Sequence, residues 1–274
     1  MTGHSMQHSS HCHCGFSNFE RFSDHDQGYY DRCTQCHSLR YGPFPTQTKI
    51  DDFYANYAAY KSGLTEYLSG DDYDIFISTK KLTMRDLETP LSFFEGKRYL
   101  DIGCGTGHWL RYLAKNGLTN GFGIDASLEC VAIGQKYEVE IRQTDFLDVK
   151  DRFDVLFMSH LIEHVPDPEA YIAHCATLVP DGGSLMIETP VTGPVSEAYG
   201  SLWRFLMPVE HLNLFSIDAL KALLHKYGFE WVKDITFGSG INSMDGNHND
   251  KRAMDRMVKK LGIGDTYAGH FIKR

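Results

Sequence analysis

No apolar run in the sequence approaches the ~18 residues that a membrane-spanning helix needs. The opening residues, MTGHSMQHSSHCHC, lack the apolar stretch of a secretory leader, so a cytoplasmic location is expected. Positive charge is in deficit: 27 Lys plus Arg face 36 Asp plus Glu, a formal net charge of −9. A large nucleic-acid footprint needs a basic face, and this balance argues against one while leaving room for a local basic patch. Cysteine is sparse and odd in number, with seven in all, yet four of them fall in the first 36 residues. In a cytoplasmic chain such a cluster reads as metal ligands rather than a disulfide framework. No repeat of fixed period is present, and no low-complexity tract beyond the His-rich start. With 274 residues, 42% of them hydrophobic, the chain suits one large domain, alone or with a small appendage. At that size it needs neither disulfide nor metal merely to fold.

Three zones can be read. Residues 1–48 are rich in Cys, His, Gly and turn formers and show no long periodic pattern, so no large core is expected there. Residues 49–97 read as a helical lid. Phe53, Tyr57, Tyr60, Leu64 and Tyr67 fall on one helical face, Gly70-Asp71-Asp72 breaks the pattern, and a second helix runs to about Phe94 with Pro90 as a kink. This aromatic stripe is core, or a lid face that also touches ligand. Residues 98–274 alternate β-rich runs with helical patterns. The runs are 98–102, 121–125, 139–142, 153–158, 184–188, 230–237 and 266–273. Helices are expected near 107–116, 127–136 and 168–178, with a basic helix near 251–261. Such alternation predicts a parallel sheet covered by helices on both faces.

The strongest signal is Tyr99-Leu100-Asp101-Ile102-Gly103-Cys104-Gly105-Thr106-Gly107. A strand runs into glycines at every second position and a helix follows. Glycine there permits a tight turn and lets a ligand approach bare backbone. The spacing is G-x-G-x-G, unlike the G-x-G-x-x-G of dinucleotide sites. Asp125 closes the next strand, where a carboxylate can accept two hydrogen bonds from a ribose diol.

These residues resemble the cofactor site of the class I S-adenosylmethionine-dependent methyltransferases, and the resemblance covers 98–237 well. It implies an α/β fold with a seven-stranded, mostly parallel, doubly wound sheet in the order 3-2-1-4-5-7-6, strand seven running antiparallel. It assigns Asp101, Gly103, Cys104, Gly105 and Gly107 to the methionine and ribose portion of S-adenosylmethionine, and Asp125 with Ala126 to the ribose end. Asp145 and Phe146 would meet the adenine, although Asp145 also reads as a turn or cap residue. Ser159 and His160 would lie beside the sulfonium. An acidic residue is commoner at this last point, which makes His160 a candidate substrate contact.

His160-Leu161-Ile162-Glu163-His164 also matches the inverted zinc-protease pattern H-x-x-E-H. That motif needs a long helix, and Pro166 and Pro168 end any helix at once, so the pattern is set aside as a metal site. The spacing of Cys33-Thr-Gln-Cys36, preceded by Cys12 and Cys14, describes a structural Zn²⁺ knuckle, with His11 as an alternative to Cys12. A c-type haem attachment at Cys33–His37 is excluded for want of an export signal. The knuckle's layout resembles the front end of methyltransferases that modify sugars or related polar metabolites.

Glu210-His211, in the loop after the fifth strand, resembles the Glu-His of those sugar enzymes, where the imidazole is the base. A hydroxyl is a poor nucleophile until its proton is taken, and histidine titrates in the right range; the alternative is a loop histidine bonded to backbone. Trp203, Phe205 and Met207 read as an apolar substrate wall or as core, and Arg204 as a partner for an anionic group. The expected activity is methyl transfer to a small polar metabolite, at oxygen, by a monomer or homodimer. Two other readings are an RNA-modifying enzyme with the knuckle as RNA-binding module, and a non-catalytic zinc-bearing binding protein.

Overall fold

A computed structural model describes residues 11–55, 73–241 and 248–274. Tyr57, Tyr60, Leu64 and Tyr67 of the aromatic stripe lie outside these. The central parallel strands are β4 (Tyr99–Ile102), β5 (Gly121–Asp125), β6 (Ile141–Gln143), β7 (Val155–Ser159) and β8 (Ser184–Thr192). They stand in the order β6-β5-β4-β7-β8. β11 (Thr266–Lys273) then pairs antiparallel with β8, and β10 (Phe229–Phe237) pairs antiparallel with β11. Numbered from β4 without the strand Asn213–Ser216, the order is 3-2-1-4-5-7-6, as the resemblance implies.

Side chains alternate across these strands. Leu100, Ile102, Leu156 and Met158 enter one core, and Tyr99, Val155 and Phe157 the other. Both faces are therefore apolar, as a doubly covered sheet requires. Helices His108–Lys115 and Leu128–Lys136 follow β4 and β5, and Pro168–Leu178 follows β7. The last of these is capped by Asp167, whose side chain accepts from the Ala170 amide at 3.0 Å. Helix Ile217–Lys226 is capped in the same way by Ser216.

The N-terminal zone differs from expectation. β1 (Phe19–His25), β2 (Gly28–Cys33) and β3 (Leu39–Gly42) form an antiparallel meander. β8 forks to receive it. Its residues 184–190 pair with β11, while Val191 and Thr192 pair in parallel with β9 (Asn213–Ser216), which then pairs with β3. A third core joins Tyr30, Leu39, Tyr41 and Ile50 to Trp203, Leu206, Val209, Leu212 and Leu214, with Phe53 against it. The meander thus has a sizeable core, but only by sharing it with the 203–214 loop. Trp203 is fully buried in this core rather than forming a substrate wall.

The 49–97 zone opens on helix α1 (Gln47–Ala55); its second helix, α2 (Tyr73–Asp86), stops short of Phe94, and Pro90 instead opens a 3₁₀ turn at Leu91–Phe94. Ile77, Met84 and Leu87 sink into the same core as Trp109 and Phe157. Among the described residues no helix is long and apolar enough to cross a membrane.

Candidate active site

The site lies at the carboxyl ends of the parallel strands, where ligands bind in open α/β sheets. Gly103, Gly105 and Gly107 have φ of +69°, +56° and +75°, the left-handed region that glycine adopts without cost. A Cβ on Gly107 would fall 2.7 Å from Ile141 Cδ1, so space as well as backbone angle excludes a side chain there. The amides of Gly103 and Cys104 donate to Ile124 O, at 2.9 and 3.0 Å, which lashes the turn to β5. Asp125 completes this link. Its Oδ2 accepts from the Gly105 amide and its Oδ1 from the Ser127 amide, both at 2.8 Å. Burial pushes the Asp125 carboxyl upward, against the pull of those two amides.

A cavity of about 330 Å³ opens here, lined by Ile102, Gly103, Asp125, Ala126, Asp145 and Phe146 among others. Leu161, Tyr171, Gln143 and Thr144 also line it, and the sequence reading had not singled them out. Asp145 is in part the cap it was alternatively read as, since its Oδ1 accepts from the Leu147 amide at 2.9 Å. Phe146 is buried against Tyr171 and His174. Asp101 and Cys104 are buried beside the glycine turn. Burial raises the Asp101 carboxyl to about 7, with Lys80 opposing and Asp125 reinforcing the shift.

Deeper in the sheet lies a charged cluster. Lys80, on α2, donates to Ser159 Oγ at 2.9 Å and pairs with Glu188 at 3.1 Å, with both charged side chains nearly buried. His160, at φ +51°, directly follows β7, with its Nδ1 3.3 Å from Glu163 Oε1 and its Nε2 3.5 Å from Glu188 Oε1. Its side chain is well exposed, and against the opposing cost of partial burial the two carboxylates raise its imidazole to about 9. Lys80 was missed because nothing in a helical lysine announces a buried partner 108 residues away.

The residues 160–164 form a turn, not a helix. Glu163 is fully buried there. Its Oε2 accepts from Thr189 Oγ1 at 2.9 Å, and its main-chain oxygen accepts from the Leu212 and Asn213 amides. Burial disfavours its charge, yet His160, His164 and His211 more than offset this and hold it at about 2.

His211 sits on the 203–214 loop. That loop is pinned from one side by Glu163 and from the other by Tyr30, whose hydroxyl donates to His211 O at 2.9 Å. His211 is buried, and its Nδ1 meets Phe205 O at 2.8 Å. Burial lowers the imidazole to about 4, helped by His164, so the ring is neutral at physiological pH. Glu210 is buried too, and its main-chain oxygen meets His164 Nδ1 at 3.0 Å. Arg204 is engaged by the buried Asp265, at 3.1 and 2.9 Å, rather than offered to an anionic ligand.

The four cysteines converge at the other end of the meander. Sγ of Cys12 is 3.4 Å from that of Cys36, and Sγ of Cys14 is 3.6 Å from that of Cys33. All four sulfurs lie within 4.8 Å of one another. Bonds of about 2.3 Å to a tetrahedral zinc ion would place sulfurs about 3.8 Å apart, so the set fits. Cys12 is one of the four clustered residues.

Comparison with known proteins gives the same fold. A family model described as a methyltransferase domain matches residues 77–234. The chain is 32% identical over 164 residues to a ubiquinone biosynthesis O-methyltransferase of Cereibacter sphaeroides, covering 54% of this chain and 66% of that one. It is 37% identical over 103 residues to the Coxiella burnetii protein of the same name, covering 35% and 44%. The match therefore spans less than two thirds of these relatives' length. Two crystal structures share the fold. A methyltransferase from Thermotoga maritima, described as a possible histamine N-methyltransferase, gives a TM-score of 0.55 at 19% identity, over 77% of this chain and 96% of that one. The magnesium protoporphyrin IX methyltransferase of Synechocystis, with bound S-adenosylhomocysteine, gives 0.51 at 15% identity, over 70% and 83%.

Proposed function

The chain belongs to the methyltransferase-domain family of class I S-adenosylmethionine-dependent proteins, and from that premise we propose that it transfers a methyl group to a hydroxyl oxygen of a small polar metabolite. The observation that carries this reading is the cavity at the ends of β4, β5 and β6. There a glycine turn, an oriented carboxylate on Asp125 and the Asp145-Phe146 pair match the three parts of a methionine-bearing nucleoside. The sulfonium supplies an activated methyl group, which passes to the acceptor by in-line displacement. The protein's contribution is to hold donor and acceptor in line, which supplies most of the rate.

On the acceptor side, His211 is the residue we assign to the hydroxyl proton. With Nδ1–H donated to Phe205 O, the neutral ring keeps its lone pair on Nε2. Glu210 raises that basicity electrostatically, and charged His160 contacts the acceptor at the end of β7. The relatives' names support oxygen as the methylated atom. A sugar or kindred hydroxylated metabolite is the class we favour, because the cysteine knuckle and the Glu210-His211 pair resemble those of sugar methyltransferases. The four clustered thiols fit a structural Zn²⁺ ion that would hold the meander and, through Tyr30, the His211 loop.

The test is a metabolite panel incubated with isotopically labelled S-adenosylmethionine. Label should appear in a hydroxyl-bearing metabolite with stoichiometric S-adenosylhomocysteine. Label confined to RNA would overturn the reading.

A further inference from the structure

Glu163 Oε1 is a fully buried carboxylate oxygen that accepts no hydrogen bond. His160 Nδ1 approaches it to 3.3 Å without the alignment of a bond. Such an atom is costly to leave unsatisfied. His164 Nε2 stands 3.8 Å from it, and the His164 and His211 rings meet edge to face with centroids 4.8 Å apart. One ligand atom from each of Glu163, His164 and His211 lies within 4.8 Å of the other two.

Both imidazoles are oriented the way metal ligands are. His164 Nδ1 meets Glu210 O and His211 Nδ1 meets Phe205 O. A carbonyl can only accept, so each Nδ1 carries the hydrogen and each Nε2 keeps its lone pair. The carboxylate is fixed likewise, because Thr189 holds Oε2 and leaves Oε1 to the cluster. Two imidazoles and one carboxylate, each held by a hydrogen bond on its far side, form a donor set for a borderline divalent ion rather than Mg²⁺ or Ca²⁺.

We propose that Glu163 Oε1, His164 Nε2 and His211 Nε2 bind a zinc ion at the acceptor side of the methyl-transfer site, with one coordination position left for the acceptor's oxygen. The site is separate from the cysteine knuckle and owes nothing to the helical H-x-x-E-H pattern, since its third ligand comes from a loop 47 residues downstream. Ligands about 2.1 Å from a tetrahedral ion lie ~3.4 Å apart, so the 3.8 Å Glu163–His164 pair must close by a few tenths of an ångström, and a pair at the 4.8 Å limit by more than ~1 Å. Glu188 remains beside His160 when Oε1 turns to the ion. The inference rests on the methyl-transfer reading for the identity of the fourth ligand. It revises that reading at one atom: with the ion bound, His211 Nε2 would be a ligand rather than the base, and the cation would acidify the bound hydroxyl, whose proton would leave to solvent.

The experiment is metal analysis of the full chain, stripped with a chelator and reloaded with Zn²⁺ or, as a spectroscopic probe, Co²⁺. The expected wild type binds an ion that a Cys33→Ser/Cys36→Ser variant retains and that His164→Gln and Glu163→Gln each lose. Its cobalt form shows visible d–d bands without thiolate charge transfer. Should the variants fail to fold, the wild-type cobalt spectrum decides alone: a component free of thiolate charge transfer is expected. Binding of no ion, or of a single ion whose cobalt form shows only the thiolate signature, overturns the proposal. Neither readout involves the methyl donor, so failure here is distinguishable from failure of the transferase reading.

Discussion

The Asp125 carboxylate accepts a hydrogen bond from the Gly105 amide at 2.8 Å, tying the end of β5 to the turn after β4. With its second oxygen on the Ser127 amide, the carboxylate is immobilised before any ligand arrives. A carboxylate oxygen can accept more than one hydrogen bond, so this arrangement leaves acceptor capacity for a diol while fixing where it points. Pre-organisation of this kind reduces the ordering cost of binding.

The glycine turn is sensitive to a single methyl group. Gly107→Ala would combine a left-handed backbone with contacts of 2.7 Å to Ile141 and 3.0 Å to Val139. A loss of about 1–3 kcal/mol of stability is expected, together with weaker donor binding. Urea denaturation measures the first; an unchanged midpoint would contradict the packing described.

Lys80 neutralises Glu188 in a nearly dry setting. Lys80→Met leaves that carboxylate with only His160, and breaking a buried pair from one side costs about 3 kcal/mol or more. The double variant Lys80→Met/Glu188→Gln should recover part of the loss. Equal stability of the single and double variants would show that the pair does not act as a unit.

His270 on β11 is buried, with its Nε2 3.0 Å from Ser184 Oγ and Phe93 edge-on to its ring. Burial and then the Lys97 ammonium lower its imidazole to about 4. The unfolded chain takes up this proton near pH 6.5 and the folded chain only near 4. Stability from this group is thus full above about pH 6.5 and declines as pH falls toward 4. Between pH 7.5 and 5 it accounts for about 2 kcal/mol. In His270→Gln that part of the slope should vanish, and an identical pH–stability curve for both proteins would refute the assignment.

His211→Ala should lower turnover by about 10²–10⁴ while donor affinity stays intact. Single-turnover kinetics with a methylated-product readout checks this. Near wild-type turnover would remove His211 from the chemistry altogether.

The donor half of the site was legible because it is local. Strand, glycine turn, helix and Asp125 all fall within 27 residues and follow backbone rules. The alternation gave a parallel sheet covered on both faces; the strand order came from the family resemblance, not from the pattern. β9 was not legible, since Asn213–Ser216 is four residues long and gains its strand character from the fork in β8. The meander escaped notice because Tyr30 and Tyr41 find their core in the 203–214 loop rather than in their own zone. The charged cluster depends on Lys80, His160, Glu163 and Glu188, which only the fold brings together. The dismissal of H-x-x-E-H as a helical motif was sound in geometry, yet Glu163 and His164 acquire a third partner that no local spacing reveals.

The most direct measurement is isothermal titration of S-adenosylmethionine and S-adenosylhomocysteine into wild type and Asp125→Ala. Wild type should bind both at one per chain, and the variant should bind at least about 10²-fold more weakly through loss of the charged hydrogen bonds. A wild type that binds neither ligand, or a variant with undiminished affinity, would contradict the account.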